Sequence, residues 1–247
     1  KNSGDTEYDG KMVTLKWGLA NSVNNISAWL MKQFNPQSVV DISHKLGIKS
    51  YIDPVVSIFL GTSDFSLYEM VGAYSTFANR GIHNDPIYVT RIEDKNGNVL
   101  ATFKTTKTEA ISEKTAYLMI NLLQGVVDHG TGRRLRYRYQ IPGQLAGKTG
   151  TTQNQSDGWF MGITPNLVGG AWVGGEDRAI HFEGITMGQG ASMALPIWGI
   201  FLQKVYADPT LGIDGSAIFA RPATLTTDID CPVDSLDNSN KKENDFF

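Results

Sequence analysis

Ala146-Gly147-Lys148-Thr149-Gly150-Thr151-Thr152 is the stretch on which the fold turns. It opens a series of strand-like runs at 145–152, 158–163 and 167–174, closely spaced and separated by turn residues. That pattern predicts an antiparallel meander. Side chains on a strand alternate between faces, so Lys148 and Gly150 point one way and Thr149 and Thr151 the other. If this run is an edge strand beside a cleft, Gly150 lets a ligand approach the backbone closely. Free N–H groups on such an edge pair with an extended peptide or stabilise an oxyanion. Lys148 supplies positive charge for a carboxylate or for a proton relay.

Working outward, 192–206 reads as an apolar helix able to cover the sheet, and 130–143 as a loop rich in Gly and Arg. Ser112 caps a helix reaching about Asp128, with Leu118, Leu122 and Val126 on one face. Lys95-Asn96-Gly97-Asn98 between two apolar-alternating runs predicts a hairpin. Ser66-Leu67-Tyr68-Glu69 is a capping box that opens a helix ending near Gly81. Asn35-Pro36 starts another that stops at Gly47. Leu15, Leu19, Ile26, Leu30 and Phe34 keep helical spacing but are interrupted at Ser22-Val23-Asn24, which predicts two helices with a break. After about Gly215 the chain turns polar. Residues 1–214 are therefore read as one domain and 215–247 as a poorly ordered tail.

Composition fits an ordinary folded protein, with 41% apolar and 19% charged residues. A formal charge of −3, with basic residues scattered, argues against nucleic acid as the main partner. The run Arg133, Arg134, Arg136, Arg138 reads as a solvated loop. The single Cys231 excludes an intrachain disulfide, and the four histidines lack metal-ligand spacing. No apolar run approaches the roughly 18 residues needed to span a bilayer. The first residue, Lys1, suggests excision from a longer protein.

Ser22 and Asn24 place a hydroxyl and a carboxamide two residues apart at a helix break, where both can face a cleft. Ser passes a proton, and Asn donates and accepts hydrogen bonds at once. Both types are also preferred helix N-caps, and that reading of the pair stays open. Trp159, Phe160 and Trp172 read as core rather than as a ligand platform. Glu176-Asp177 reads as a turn, and 187–190 as a flexible loop near the cleft rim.

In this order and with these flanks, Ser22-Val23-Asn24 and Lys148-Thr149-Gly150 resemble the second and third signature elements of penicillin-recognising serine enzymes. The flanks resemble class A penicillin-binding proteins. They are Tyr8-Asp9-Gly10-Lys11-Met12-Val13-Thr14-Leu15 running into Gly18-Leu19-Ala20-Asn21, and Gly125-Val126-Val127-Asp128-His129-Gly130-Thr131-Gly132. Downstream come Asp157-Gly158-Trp159-Phe160-Met161-Gly162 and Ala171-Trp172-Val173-Gly174. The likeness covers 8–206 and implies an α+β transpeptidase-like domain, an antiparallel sheet flanked by helices, here without the first strands and the nucleophile-bearing helix. It also implies roles. Ser22 relays a proton to the leaving group, with Lys148 as positive charge beside it, and Asn24 holds the donor peptide. The Thr149 and Thr151 hydroxyls bind the terminal carboxylate of a D-Ala-D-Ala stem peptide or a β-lactam. The Thr151 N–H forms half of an oxyanion hole, and Gly150 and Thr152 complete the substrate strand. No metal or organic cofactor takes part. The expected setting is the periplasmic face of the cytoplasmic membrane, with an anchor and a glycosyltransferase domain outside this chain.

One element departs from the family. Its nucleophile lies in Ser-x-x-Lys before Ser-x-Asn, and the only such spacing here is Ser239-Asn240-Lys241-Lys242, in the polar tail. A mobile tail does not position a serine against a relay, so the nucleophile is expected upstream of Lys1 and this fragment is expected to be inactive. Rival readings are a D,D-carboxypeptidase or β-lactamase-like hydrolase, and a non-catalytic peptidoglycan-binding module.

Overall fold

The computed structural model describes residues 12–226 and Ile229. Residues 8–11 of the motif flank, Cys231 and Ser239-Asn240-Lys241-Lys242 lie outside them. Helix α1 spans Leu15–Ala20, α2 Asn24–Gln33 and α3 Pro36–Lys45. The predicted break falls between α1 and α2, and Asn35 caps α3 by accepting from the Gln37 N–H at 2.9 Å. Helix α4, Leu67–Ala78, opens with the predicted capping box: Ser66 and Glu69 exchange side-chain-to-backbone bonds. Glu69 also accepts from the Lys49 and Ser50 N–H groups, which fastens the segment after α3 to the start of α4.

Short strands follow: β1 (Ile82–Asn84), β2 (Arg91–Glu93), β3 (Val99–Thr102) and β4 (Lys107–Glu109). The hairpin β2–β3 forms where Asn-Gly placed it, and the Asp94 carboxylate closes the turn on the Asn96 and Asn98 N–H groups. The pairing of β1 with β4 brackets the hairpin and has no short-range sequence signal. Helix α5, Glu113–Asp128, begins at Ser112 as predicted.

The meander is β5 (Ala146–Thr151), β6 (Asp157–Ile163) and β7 (Val168–Gly174), paired antiparallel in the order β5-β6-β7. Among the described residues β5 pairs with β6 alone, so its other edge has no strand partner. Helices cover both faces. On one, Ile120, Leu123, Ala146 and Ile163 pack with Leu19, Tyr74 and Phe77 of α1 and α4. On the other, Phe160, fully buried, meets Trp198 with ring centroids 5.4 Å apart, in a cluster with Leu135, Leu195 and Leu202. Burying a side chain of that size contributes about 2–3 kcal/mol. Of the three aromatics expected in the core, Phe160 is there, Trp159 is half-buried, and Trp172 keeps 42% of its surface exposed.

Some expectations need correction. The loop 130–143 contains α6, Arg134–Tyr137, with Leu135, Tyr139 and Ile141 buried beneath it. Its arginines are not simply solvated. Arg134 donates to the Ala191 carbonyl and the Ser192 hydroxyl, and Arg136 pairs with Asp128 and caps the Ile141 carbonyl. The apolar helix is split into α8 (Gly190–Met193) and α9 (Leu195–Ala207), because Pro196 lacks the N–H needed to continue the ladder. Residues 187–190, read as a flexible loop, instead end α7 (Ile185–Gly188) and begin α8, with Gly188 and Gly190 buried. Of the polar C-terminal stretch, 215–226 lies against the domain. Leu225 is buried, and the Phe219 N–H donates to the Gln144 side chain at 2.7 Å. Among the described residues no helix is long and apolar enough to cross a membrane.

Candidate active site

Helix α1 stops by a backbone device. The Ser22 N–H donates to the Leu19 carbonyl at 3.2 Å, and the Val23 N–H to the Gly18 carbonyl at 3.0 Å. These are the paired bonds of a Schellman motif, which demand a left-handed residue just past the C-cap. That residue is Ser22, with φ 55°. A serine here is unusual, since the position favours glycine. Ser22 therefore terminates α1 and does not cap α2. The N-cap position belongs to Val23, whose side chain makes no cap bond. Asn24 opens α2, half-buried, on the same break.

The strained turn presents the Ser22 hydroxyl to β5. Lys148 Nζ donates to Ser22 Oγ at 2.9 Å and to the Thr149 carbonyl at 3.0 Å. Burial pushes the Lys148 ammonium down to about 8, because a desolvated charge is disfavoured. Two residues 126 apart in sequence are thus bonded directly across the groove. The alternation of β5 sends Thr149 and Thr151 to the other face, where the Thr151 hydroxyl accepts from the Gly190 N–H at 3.0 Å. Gly190 is required there, because a Cβ would run into the Gly150 carbonyl oxygen. Helix α8 is thereby seated on the strand that carries Gly150 and Thr151.

Thr149 is tied to a residue the sequence left without a role. Its hydroxyl lies 2.7 Å from that of Thr131. The Thr131 N–H in turn donates to the Ala20 carbonyl at 3.0 Å. The motif stretch around Gly130 and Gly132 was visible in the chain, but nothing local pairs Thr131 with Thr149. Thr152 is engaged differently. Its hydroxyl accepts from the Asp157 N–H at 2.9 Å and meets the Ser156 hydroxyl at 3.0 Å, holding the turn into β6. Hydrogen bonds thus join Ser22, Lys148, Thr149 and Thr131 into one cluster, with Asn24 two residues beyond Ser22 at the start of α2, Thr151 exposed at the end of β5 and Thr152 just past it. It offers a cation of lowered proton affinity, a hydroxyl bonded to it, further hydroxyls and an open strand edge. That set suits an extended peptide with a terminal carboxylate and proton transfer at its backbone.

Comparison with known proteins shows the family. The family model described as the penicillin binding protein transpeptidase domain matches residues 1–174. Penicillin-binding protein 1A of Aquifex aeolicus is 32% identical over 205 residues, covering 83% of this chain and 27% of the relative. The chain therefore spans about a quarter of that relative's length. Among solved structures, penicillin-binding protein 1A from Haemophilus influenzae superposes with a TM-score of 0.71 at 22% identity, over 79% of this chain and 34% of that one. The PonA1 protein of Mycobacterium tuberculosis in complex with penicillin V gives 0.67 at 24% identity, over 90% and 62%. These structural likenesses extend the shared fold past the family-model match.

Proposed function

The chain belongs to the penicillin-binding protein transpeptidase family, in its class A branch, and on that premise we propose that its groove is half of the acyl-transfer cleft of a peptidoglycan D,D-transpeptidase. The observation that carries this reading is the 2.9 Å bond from Lys148 to Ser22, which joins the two motifs into one wall-to-wall contact. The ligands are the D-Ala-D-Ala end of a stem peptide and the β-lactams that imitate it.

In this account a serine attacks the carbonyl of the penultimate D-Ala, and the C–N bond to the terminal D-Ala breaks. The proton given up by the attacking serine passes through the Ser22 hydroxyl, held by the Lys148 ammonium, to the departing amine, so Ser22 ends as a hydroxyl again. The amine of a neighbouring stem then attacks the acyl-enzyme and releases the serine. Asn24 holds the donor peptide, Gly150 lets it lie close to β5, and the Thr151 N–H receives the developing oxyanion. Thr149 and Thr151 bind the terminal carboxylate. The role of Thr152 is to fix the end of the strand through its bonds to 156–157, which supports substrate binding indirectly. The reaction is placed on the periplasmic face of the cytoplasmic membrane.

The only Ser-x-x-Lys in the 247 residues is Ser239-Asn240-Lys241-Lys242. We therefore assign the attacking serine to the family's preceding element and expect these 247 residues alone to resist acylation. The test is labelling with a fluorescent penicillin. The full-length protein carrying this chain becomes covalently labelled and transfers the acyl group to an amine faster than to water, whereas the 247-residue chain stays dark. A labelled 247-residue chain contradicts the assignment of the nucleophile. A full-length protein that is not labelled contradicts the transpeptidase reading.

A further inference from the structure

Thr131 stands where the two walls of the groove meet. Its N–H donates to the Ala20 carbonyl at 3.0 Å, two residues before Ser22. Its hydroxyl lies 2.7 Å from the Thr149 hydroxyl. The neighbouring glycine makes this approach possible, since a Cβ at Gly130 would strike the Ala20 carbonyl oxygen. The Gly132 N–H bonds the Val126 carbonyl at 2.9 Å, and Val126 and Val127 are fully buried, so the loop hangs from a rigid helix end.

We propose that Thr131 is a positioning residue that orients the Thr149 hydroxyl toward the carboxylate of the bound ligand. The inference rests on the acyl-transfer reading of the groove and adds a residue to it. Its basis is a count of protons. Each threonine hydroxyl carries one donor and two acceptor sites, and a carboxylate only accepts. Thr149 can donate to a ligand carboxylate only if its proton is not spent on Thr131. Thr131 therefore donates to Thr149, and the Thr149 proton is left for the ligand. Donation into Thr149 Oγ also polarises that hydroxyl and makes it a stronger donor. The bond from Lys148 Nζ to the Thr149 carbonyl, 3.0 Å, fixes the backbone at the same residue. Because Thr131 is also bonded to the end of α1, carboxylate recognition and the placement of Ser22 are set by one loop.

The test uses the full-length protein, a fluorescent penicillin, and kinetics that separate initial binding from the acylation step. Thr131→Val and the smaller Thr131→Ala remove the hydroxyl, whereas Thr131→Ser keeps it. Loss of one charge-assisted donor geometry predicts binding weakened about tenfold in Val and Ala, with the acylation step changed less, and Ser within about twofold of wild type. Because Thr131 acts through Thr149, adding Thr131→Val to Thr149→Val should cost nothing further. Melting temperatures separate this from misfolding, and Thr131→Ala stands in if Thr131→Val does not fold. The proposal is overturned if Ser is as impaired as Val, or if the Thr131 and Thr149 losses multiply. An unlabelled wild type would sink the acyl-transfer reading, and this one with it. A labelled wild type indifferent to all Thr131 variants would sink this one alone.

Discussion

Replacing Ser22 by glycine should separate the stability of the groove from its chemistry. Ser22 occupies a left-handed position at φ 55° that ends α1. For an L-residue this conformation costs about 1–2 kcal/mol, a cost glycine does not carry. Against that gain, glycine's greater freedom in the unfolded chain offsets about 0.5–1 kcal/mol. Both Ser22→Gly and Ser22→Ala also lose the bond to Lys148, which on a solvent-facing groove is worth about 1 kcal/mol. Alanine keeps the strain and loses the bond, so it should fall about 1 kcal/mol below wild type. Glycine loses the bond but is relieved of the strain, so it should lie close to wild type. For a domain of this size 1 kcal/mol moves the melting temperature by about 2–4 °C. The assay is calorimetric unfolding of the transition belonging to this domain, run on wild type and both variants, beside fluorescent-penicillin labelling. The expected order is wild type near Gly, with Ala clearly below, while labelling falls in both variants. If Gly melts at or below Ala, the strain argument is wrong. Such a site, held in an unfavourable conformation for the sake of one hydroxyl, is where function is set against stability.

Lys148→Ala should lower acylation of the full-length protein by at least about 10²-fold, since charge beside the relay is lost. In wild type, labelling should decline as pH rises through about 8, where the half-buried ammonium gives up its proton, and the variant should lack that limb. Rapid-mixing labelling across pH reads both. Glu69 gives an acid-side prediction. Burial would raise its pKa, but bonds from Ser50 and Ser66 outweigh that and bring it down to about 2. Because the folded value lies below the unfolded one, this stabilisation is full above about pH 4.5 and is lost as pH falls through about 2. Glu69→Gln should therefore melt lower than wild type at neutral pH and converge with it near pH 2. A constant gap across that range would refute the linkage.

Much of this fold was legible because its signals are local. The Ser66/Glu69 box, the Asn35-Pro36 start and the Asn96-Gly97 turn each act through bonds within a few residues. The meander was legible because its strands are consecutive. What escaped depends on distant partners. Helix α6 was masked by Arg133, Arg134, Arg136 and Arg138. Their polarity says nothing of Ala191 and Ser192 waiting for Arg134. The break before Leu195-Pro196 was hidden by an apolar run continuous across it. At the site, Ser22 and Asn24 could be recognised as a pair, but the backbone origin of the break could not. The serine looks like a cap and acts as a left-handed stop. The link from Thr131 to Thr149 joins residues 18 apart, one in a loop and one on a strand, and neither residue advertises the other.

The most direct test of the account is a crystal structure of the full-length protein acylated by a penicillin. The ligand should lie along the unpaired edge of β5 with its carboxylate on the Thr149 and Thr151 hydroxyls, and Ser22 and Asn24 facing it. A ligand seated away from that edge, or Lys148 and Ser22 on separate surfaces, would contradict it.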